Sequence, residues 1–142
     1  MDIKVCIIYE KTIPAHPAVY DDFPENLLPE LAEYLKSHGI GKLYCHQTEM
    51  FEKVTSGKNV VITTSTASGK TLSFLLPVLQ DILKNPLTRA IFIYPTKALA
   101  ADQYRAIAPY LEYFGENRIV AGVYDGDTPV AERTRIRQSA NI

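Results

Sequence analysis

The stretch TSTASGKT, residues 64–71, decides the fold. It departs from the phosphate-loop consensus G-x-x-x-x-G-K-[ST] only at its first position, where Thr64 stands in place of glycine. Just before it, NVVIT (residues 59–63) is a β-branched run too short for a helix and reads as a buried parallel strand. Just after it, residues 70–84 are apolar on most sides, as in a helix packed within a domain, with Pro77 expected to bend it. A loop between a strand and a helix start turns backbone N–H groups and the positive end of the helix dipole toward an anion. Thr66, Ala67, Ser68 and Gly69 form that loop, and the last three are small enough for the backbone to wrap close to phosphate oxygens. Lys70 then brings a mobile charge to the β and γ phosphates of a nucleotide. The Thr71 hydroxyl completes the shell of a Mg²⁺ ion that otherwise keeps several waters. The competing reading is a capped helix start with an exposed lysine. Strand, loop and helix in this order favour phosphate binding.

Outward from the loop, helix and strand alternate. Residues 89–94 (RAIFIY) and 118–124 (RIVAGVY) repeat the buried-strand pattern. Residues 98–114 read as a helix with a break at Pro109, and residues 130–140 as another helix. Upstream, LPELAEYLKSHG (residues 28–39) places Leu31, Tyr34 and Leu35 on one helical face, with Pro29 in the first turn and Gly39 past the end. A further helix is predicted over 46–55, stopped by Gly57, with Gln47, Met50 and Val54 sharing a face. Residues 1–23 join a short apolar run to Pro14 and Pro17 and suit an extended arm or edge strand. The alternation predicts an α/β fold with right-handed crossovers, a parallel β-sheet and helices on both faces. No strand is predicted after the last helix, so the domain is expected to extend beyond residue 142.

Composition narrows the class without naming it. The 142 residues are enough for one hydrophobic core, and 46% hydrophobic with 22% charged residues is ordinary globular usage. A formal net charge of -1 gives no global positive field, so any contact with nucleic acid has to come from a local patch. Cys6 and Cys45 form no metal-binding pattern, and His16, His38 and His46 lack a second ligand at i+4. No signal peptide or membrane span is expected, and a reduced, cytoplasmic setting is the simplest reading.

Two further segments point to one class of phosphate-loop protein. PTKALAADQ (residues 95–103), at the end of a predicted strand, resembles motif Ia of superfamily 2 helicases. GIGKLYCHQ (residues 39–47) resembles the Q-motif region of the same superfamily. Together, AVYDDFP, LYCHQ, TASGKT, YPTKALAADQ and YDGDTP are most similar to DEAD/DEAH-like helicases of the YprA type, which in turn resemble the Hrq helicases. The resemblance implies an ATP-dependent DNA or RNA helicase or translocase built on two RecA-like domains. It implies adenine recognition by Gln47 and phosphate binding by Gly69, Lys70 and Thr71. Pro95, Thr96 and Lys97, with Gly126 and Thr128, would face the single-stranded nucleic-acid backbone. The chemistry agrees: a side-chain amide can read the N6/N7 edge of adenine, and Thr and Lys can hold phosphates without reading bases. A solvated glutamine, an ordinary strand-to-helix turn and a polar turn at 125–128 are the plainer readings of these residues.

Other residues are expected to be structural. Arg133, Arg135 and Arg137 read as a solvated face, and Tyr110 and Tyr113 as core. Hydrolysis in this class needs a D-E-x-H type pair, and Glu112, Glu116, Asp125, Asp127 and Glu132 do not supply it. Residues 24–142 are therefore read as the N-terminal part of a RecA-like helicase ATP-binding domain, a partial P-loop NTPase fold, preceded by a lead-in segment over 1–23. The chain is expected to bind ATP with Mg²⁺ and a nucleic-acid backbone, and neither to hydrolyse ATP nor to unwind alone. A non-catalytic interaction module that keeps the fold is the alternative. A small-molecule P-loop kinase would leave residues 95–103 unexplained.

Overall fold

The helix that leaves the phosphate loop is the centre of the core. In the computed structural model, which describes residues 9, 11, 12, 17–66, 68–115 and 117–142, the chain runs β1 (Tyr20–Asp21), α1 (Pro29–Ser37), β2 (Leu43–Tyr44), α2 (Cys45–Thr55), α3 (Lys70–Lys84), α4 (Lys97–Phe114) and α5 (Val130–Ser139). Cys6, Pro14, His16, Ala67 and Glu116 lie outside the described residues. On α3, Leu75, Leu76, Leu79 and Ile82 are all but fully buried, and Pro77 is buried inside the helix without ending it. Leu31, Tyr34 and Leu35 of α1 pack into the same core, as their spacing predicts. Gln80, itself fully buried, accepts a hydrogen bond from Leu28 N at 2.9 Å and so fixes the start of α1 against α3. On α2 the covered face centres on Gln47, Thr48 and Phe51, with Met50 and Val54 only partly covered.

Part of the stretch read as a lead-in over 1–23 pairs with a later segment. Tyr20 pairs with Tyr44 and Asp21 with Leu43 in an antiparallel ladder, and the two tyrosine rings stack with centroids 4.9 Å apart. Cys45 N extends the contact by donating to Val19 O at 3.1 Å. Residues 19–21 are thus tied to residues 43–45 by backbone hydrogen bonds.

The runs predicted as buried parallel strands are corrected in one respect. Burial alternates along 59–63 and 89–94, as in a strand with a single covered face, and Val61, Ile91 and Ile93 are 89%, 86% and 88% exposed. No backbone hydrogen bond joins 59–63, 89–94 and 118–124 to one another among the described residues. Instead, Asn141 and Ile142 lie between the second run and the third. Ala90 N donates to Asn141 O at 2.6 Å, Ile142 N to Val120 O at 3.2 Å and Gly122 N to Ile142 O at 3.0 Å. That last pair of bonds is the parallel pattern. The Asn141 side chain adds bonds to Val120 N, Pro86 O and Thr88 O. A ladder requires a neighbour at about 4.8 Å, and Asn141 and Ile142 supply one only at Ala90 in the second run and at Val120 and Gly122 in the third.

Helix α4 passes through Pro109 without the predicted break. Pro109 is exposed, so the carbonyl that it leaves unpaired can bond to water. Tyr34 lies against Tyr110 (4.4 Å between centroids), Tyr113 (4.9 Å) and Phe114 (5.9 Å), which holds α4 to α1. Burial pushes the Tyr110 hydroxyl up to about 12. Helix α5 buries no residue; its Ile136 covers Gly122, where a Cβ would come within 2.7 Å of the isoleucine side chain.

Candidate nucleotide and nucleic-acid site

Gly69 begins α3 with φ at 77°, a left-handed conformation that side chains resist. Space excludes a side chain as well, because a Cβ there would come within 2.6 Å of Gln47 Nε2. Gln47 is 4% exposed, accepts from Tyr44 N at 2.9 Å and donates to Gly69 O at 3.0 Å. The residue read as the adenine contact is therefore locked onto the phosphate loop, 22 positions away in sequence. An amide has two donor hydrogens and two acceptor lone pairs, so one of each remains. His46 bonds to Ser68 O at 2.9 Å through Nε2 and stacks on Tyr44 at 5.5 Å. Tyr20, Tyr44, Lys42, Leu72, Thr71 and Tyr110 are among the residues that line a 530 Å³ cavity beside Gln47 and Gly69.

Lys70 curls back into its own loop. Its ammonium donates to Thr64 O at 3.0 Å, to Ser65 O, and to the hydroxyls of Thr64 and Ser68 at 3.3 Å each. The Thr64 hydroxyl also bonds to that of Ser68 at 2.6 Å. Thr64, the one departure from the loop consensus, thus supplies a side-chain oxygen that glycine lacks. Thr66 is exposed. The partly buried Thr71 hydroxyl donates to Gln103 Oε1 on α4 at 3.1 Å. No group of three or more His, Cys, Asp or Glu residues that could hold a metal ion occurs among the described residues.

A second cluster forms where α4 begins. Pro95, Thr96 and Lys97 are exposed, and Thr96 caps the helix by accepting from Leu99 N at 3.2 Å. Lys97 forms an ion pair with Asp127, and that bond raises its pKa. The 125–128 turn is built from inside. Asp125 Oδ1 accepts from Asp127 N at 2.8 Å and Thr128 N at 3.1 Å; the Asp127 N–H, first among these contacts, holds the carboxyl below its usual range. The Thr128 hydroxyl accepts from Asp125 N and donates to Val123 O, so it is committed to the turn, while Gly126 is exposed.

Arg133 corrects the reading of the three arginines as a solvated face. Its guanidinium donates to Thr128 O at 2.8 Å and to Asp125 O and Gly126 O at 2.9 Å each, and lies over the Tyr124 ring. Arg135 pairs with Glu132, and Arg137 O accepts from Arg89. The structure therefore gathers Gln47, Ser68, Gly69, Lys70 and Thr71 at one place and Thr96, Lys97, Gly126 and Thr128 at another, with α4 running between them. Sequence reasoning missed Tyr44, His46, Arg133 and the pairing of Asp127. The available signals were an aromatic–His pair just before Gln47 and an arginine in the first turn after Pro129.

Known proteins share this arrangement of segments. The profile of the DEAD/DEAH box helicase family matches residues 44–142. The ATP-dependent helicase YprA of Bacillus subtilis (strain 168) is 40% identical over 119 residues, covering 84% of this chain and 16% of its own length. The ATP-dependent helicase hrq1 of Schizosaccharomyces pombe is 38% identical over 133 residues, covering 92% of this chain and 12% of its own. The crystal structure of the DUF1998 helicase MrfA bound to DNA and AMPPNP superposes with a TM-score of 0.85 at 38% identity, over 91% of this chain and 18% of that one. The chain thus spans less than a fifth of the length of these relatives. With the loop, the Gln47 segment and the start of α4 all inside the matched region, the chain belongs to the DEAD/DEAH box helicase family.

Proposed function

We propose that this chain binds ATP at residues 64–71 with adenine against Gln47, and a single-stranded nucleic-acid backbone at Pro95, Thr96, Lys97 and the exposed Gly126, as the N-terminal part of a RecA-like helicase domain over 24–142. Thr128 supports that face indirectly by shaping the turn. The observation that carries the reading is the contact between Gln47 and Gly69, which places an amide with spare hydrogen-bonding capacity against the head of α3 and beside a 530 Å³ cavity. The MrfA structure, bound to DNA and AMPPNP, supports the pairing of the two ligands. Lys70 would exchange loop carbonyls for β and γ phosphates.

Mg²⁺ fits this site in a restricted way. The Thr71 oxygen has lone pairs to offer, but no carboxylate cluster accompanies it among the described residues, so phosphates and water would complete the shell. The parallel sheet with helices on both faces, a second RecA-like domain as partner, and hydrolysis dependent on a D-E-x-H pair all belong to the whole enzyme in this reading. The open faces at Val61, Ile91 and Ile93 support the first of these. No helix among the described residues is long and apolar enough to cross a membrane.

Calorimetric titration of the 142-residue chain with Mg-ATP, and separately with single-stranded DNA, tests the proposal. Binding of both is expected, with Lys70→Ala abolishing the ATP response and leaving the DNA response. A chain that bound neither would be an interaction module. ATP hydrolysis that Lys70→Ala abolished would overturn the expected inactivity of the chain alone.

A further inference from the structure

The nucleotide reading leaves one polar contact at the head of α3 without a role. Thr71 Oγ1 donates to Gln103 Oε1 at 3.1 Å, and this is the one hydrogen bond between α3 and α4 among the described residues. The pair is 32 positions apart in sequence and partly buried, so neither residue meets the other by chance of helical spacing. A threonine hydroxyl has a single proton and two lone pairs. Near a helix start that proton is free to rotate, or to bond to a backbone carbonyl of the preceding turn. Pointed at a cation, it would repel the ion and block the oxygen.

We infer that Gln103 is a positioning residue for Thr71. By accepting the hydroxyl proton, it turns the oxygen lone pairs toward the phosphate loop and presents them to a divalent cation that accompanies the nucleotide. This rests on the phosphate-loop reading proposed above and deepens it. A neutral acceptor suits the task. It fixes the direction of the O–H without adding charge to a site where the phosphates already carry the negative charge that holds Mg²⁺. The tie also has a mechanical side. Gln103 is on the helix whose first turn carries Thr96 and Lys97, so the hydroxyl that meets the cation is set by the element that begins at the nucleic-acid face.

The test separates cation-dependent from cation-independent binding. ATP affinity of the full chain is measured in Mg²⁺ and in EDTA, for the native sequence, Gln103→Ala, Gln103→Leu and Gln103→Glu, with urea midpoints taken for each. Ligand-orienting neighbours typically change metal affinity by about 10–100-fold. Since phosphates and water supply most of this shell, a loss of about 3- to 10-fold in Mg-ATP affinity is expected for Gln103→Ala and Gln103→Leu, with affinity in EDTA unchanged. Gln103→Glu, which can accept the proton but carries no amide donor, is expected to keep the Mg²⁺ advantage. An unchanged ratio in Gln103→Leu, or equal losses with and without Mg²⁺, would overturn the inference while leaving the nucleotide reading intact. A native chain that bound ATP under neither condition would overturn both.

Discussion

Replacing Gly69 by alanine tests the joint between Gln47 and the head of α3. Two costs are separable. The first is backbone strain, since φ at 77° is a left-handed conformation that costs a non-glycine residue about 1–2 kcal/mol. The second is the displacement of Gln47, whose Nε2 would be 2.6 Å from the new methyl carbon. Moving that amide breaks its bonds to Gly69 O and Tyr44 N, each worth about 1 kcal/mol, inside a site where Gln47 is 4% exposed. The sum is about 3–4 kcal/mol. Gly39 provides the control. Its φ is 79°, but nothing lies within 4 Å of the point a Cβ would occupy, so Gly39→Ala should show the strain alone. In urea denaturation, a slope of about 2 kcal/mol/M places the Gly69→Ala midpoint about 1.5–2 M below that of the native chain, and Gly39→Ala about 0.5–1 M below. In a Gln47→Ala background the Gly69→Ala penalty should shrink to the control value, because the clash partner is gone. Equal midpoints for Gly69→Ala and Gly39→Ala would refute the reasoning, since strain alone would then account for both.

Arg118 donates to both oxygens of Glu30 at 2.6 and 2.9 Å, and that bond holds the Glu30 carboxyl below its ordinary value of 4.5. The contribution is therefore fully present above pH 4.5 and lost as pH falls through the lower folded value. With both side chains a third or more exposed, Glu30→Gln should cost no more than about 1 kcal/mol at pH 7, and the gap in urea midpoint should narrow as pH falls below the ordinary carboxylate range; a gap that stayed constant across an acid titration would contradict the assignment. Asp127→Asn releases Lys97 from its ion pair, so single-stranded DNA binding, followed by fluorescence anisotropy at low salt, should tighten about 2- to 5-fold and depend more steeply on salt. Unchanged affinity and slope would mean that Lys97 does not meet the strand.

The features legible in the sequence are those set by short-range rules. Pro29 and Gly39 bracket α1 because one needs no amide partner in the first turn and the other takes a positive φ of 79° after the last. The head of α3 is legible because Gly69, Lys70 and Thr71 are consecutive. What escaped depends on distant residues. The β1–β2 ladder joins Tyr20 to Tyr44, and strands of 2 residues each leave no periodicity to detect. The inward turn of Arg133 depends on three carbonyls of the 125–128 turn, which become acceptors only once Asp125 has folded that turn around its carboxylate. The open faces of 59–63 and 89–94 escaped for another reason: β-branched composition reports that a strand is suited to burial, while burial itself requires a neighbour.

The state of Lys70 bears on what the loop can do. Its ammonium is surrounded by two carbonyls and two hydroxyls, so a nucleotide bound as proposed would have to replace neutral oxygens with ionised ones. The ammonium is attracted more strongly to an ionised phosphate oxygen than to a neutral carbonyl or hydroxyl, which gives the exchange its direction. The gain is still a difference, and each loop oxygen bonded to Lys70 reduces it. Thr64 offers two, a carbonyl that any residue would provide and a hydroxyl that the consensus glycine would not. The same hydroxyl is bonded to Ser68, so opening the loop for phosphate breaks a contact between its two ends as well as one to the lysine. Thr64 therefore ties the loop together by two contacts that a glycine-led loop lacks, and if residues 64–71 bind a nucleotide as proposed, the departure from consensus lowers its affinity.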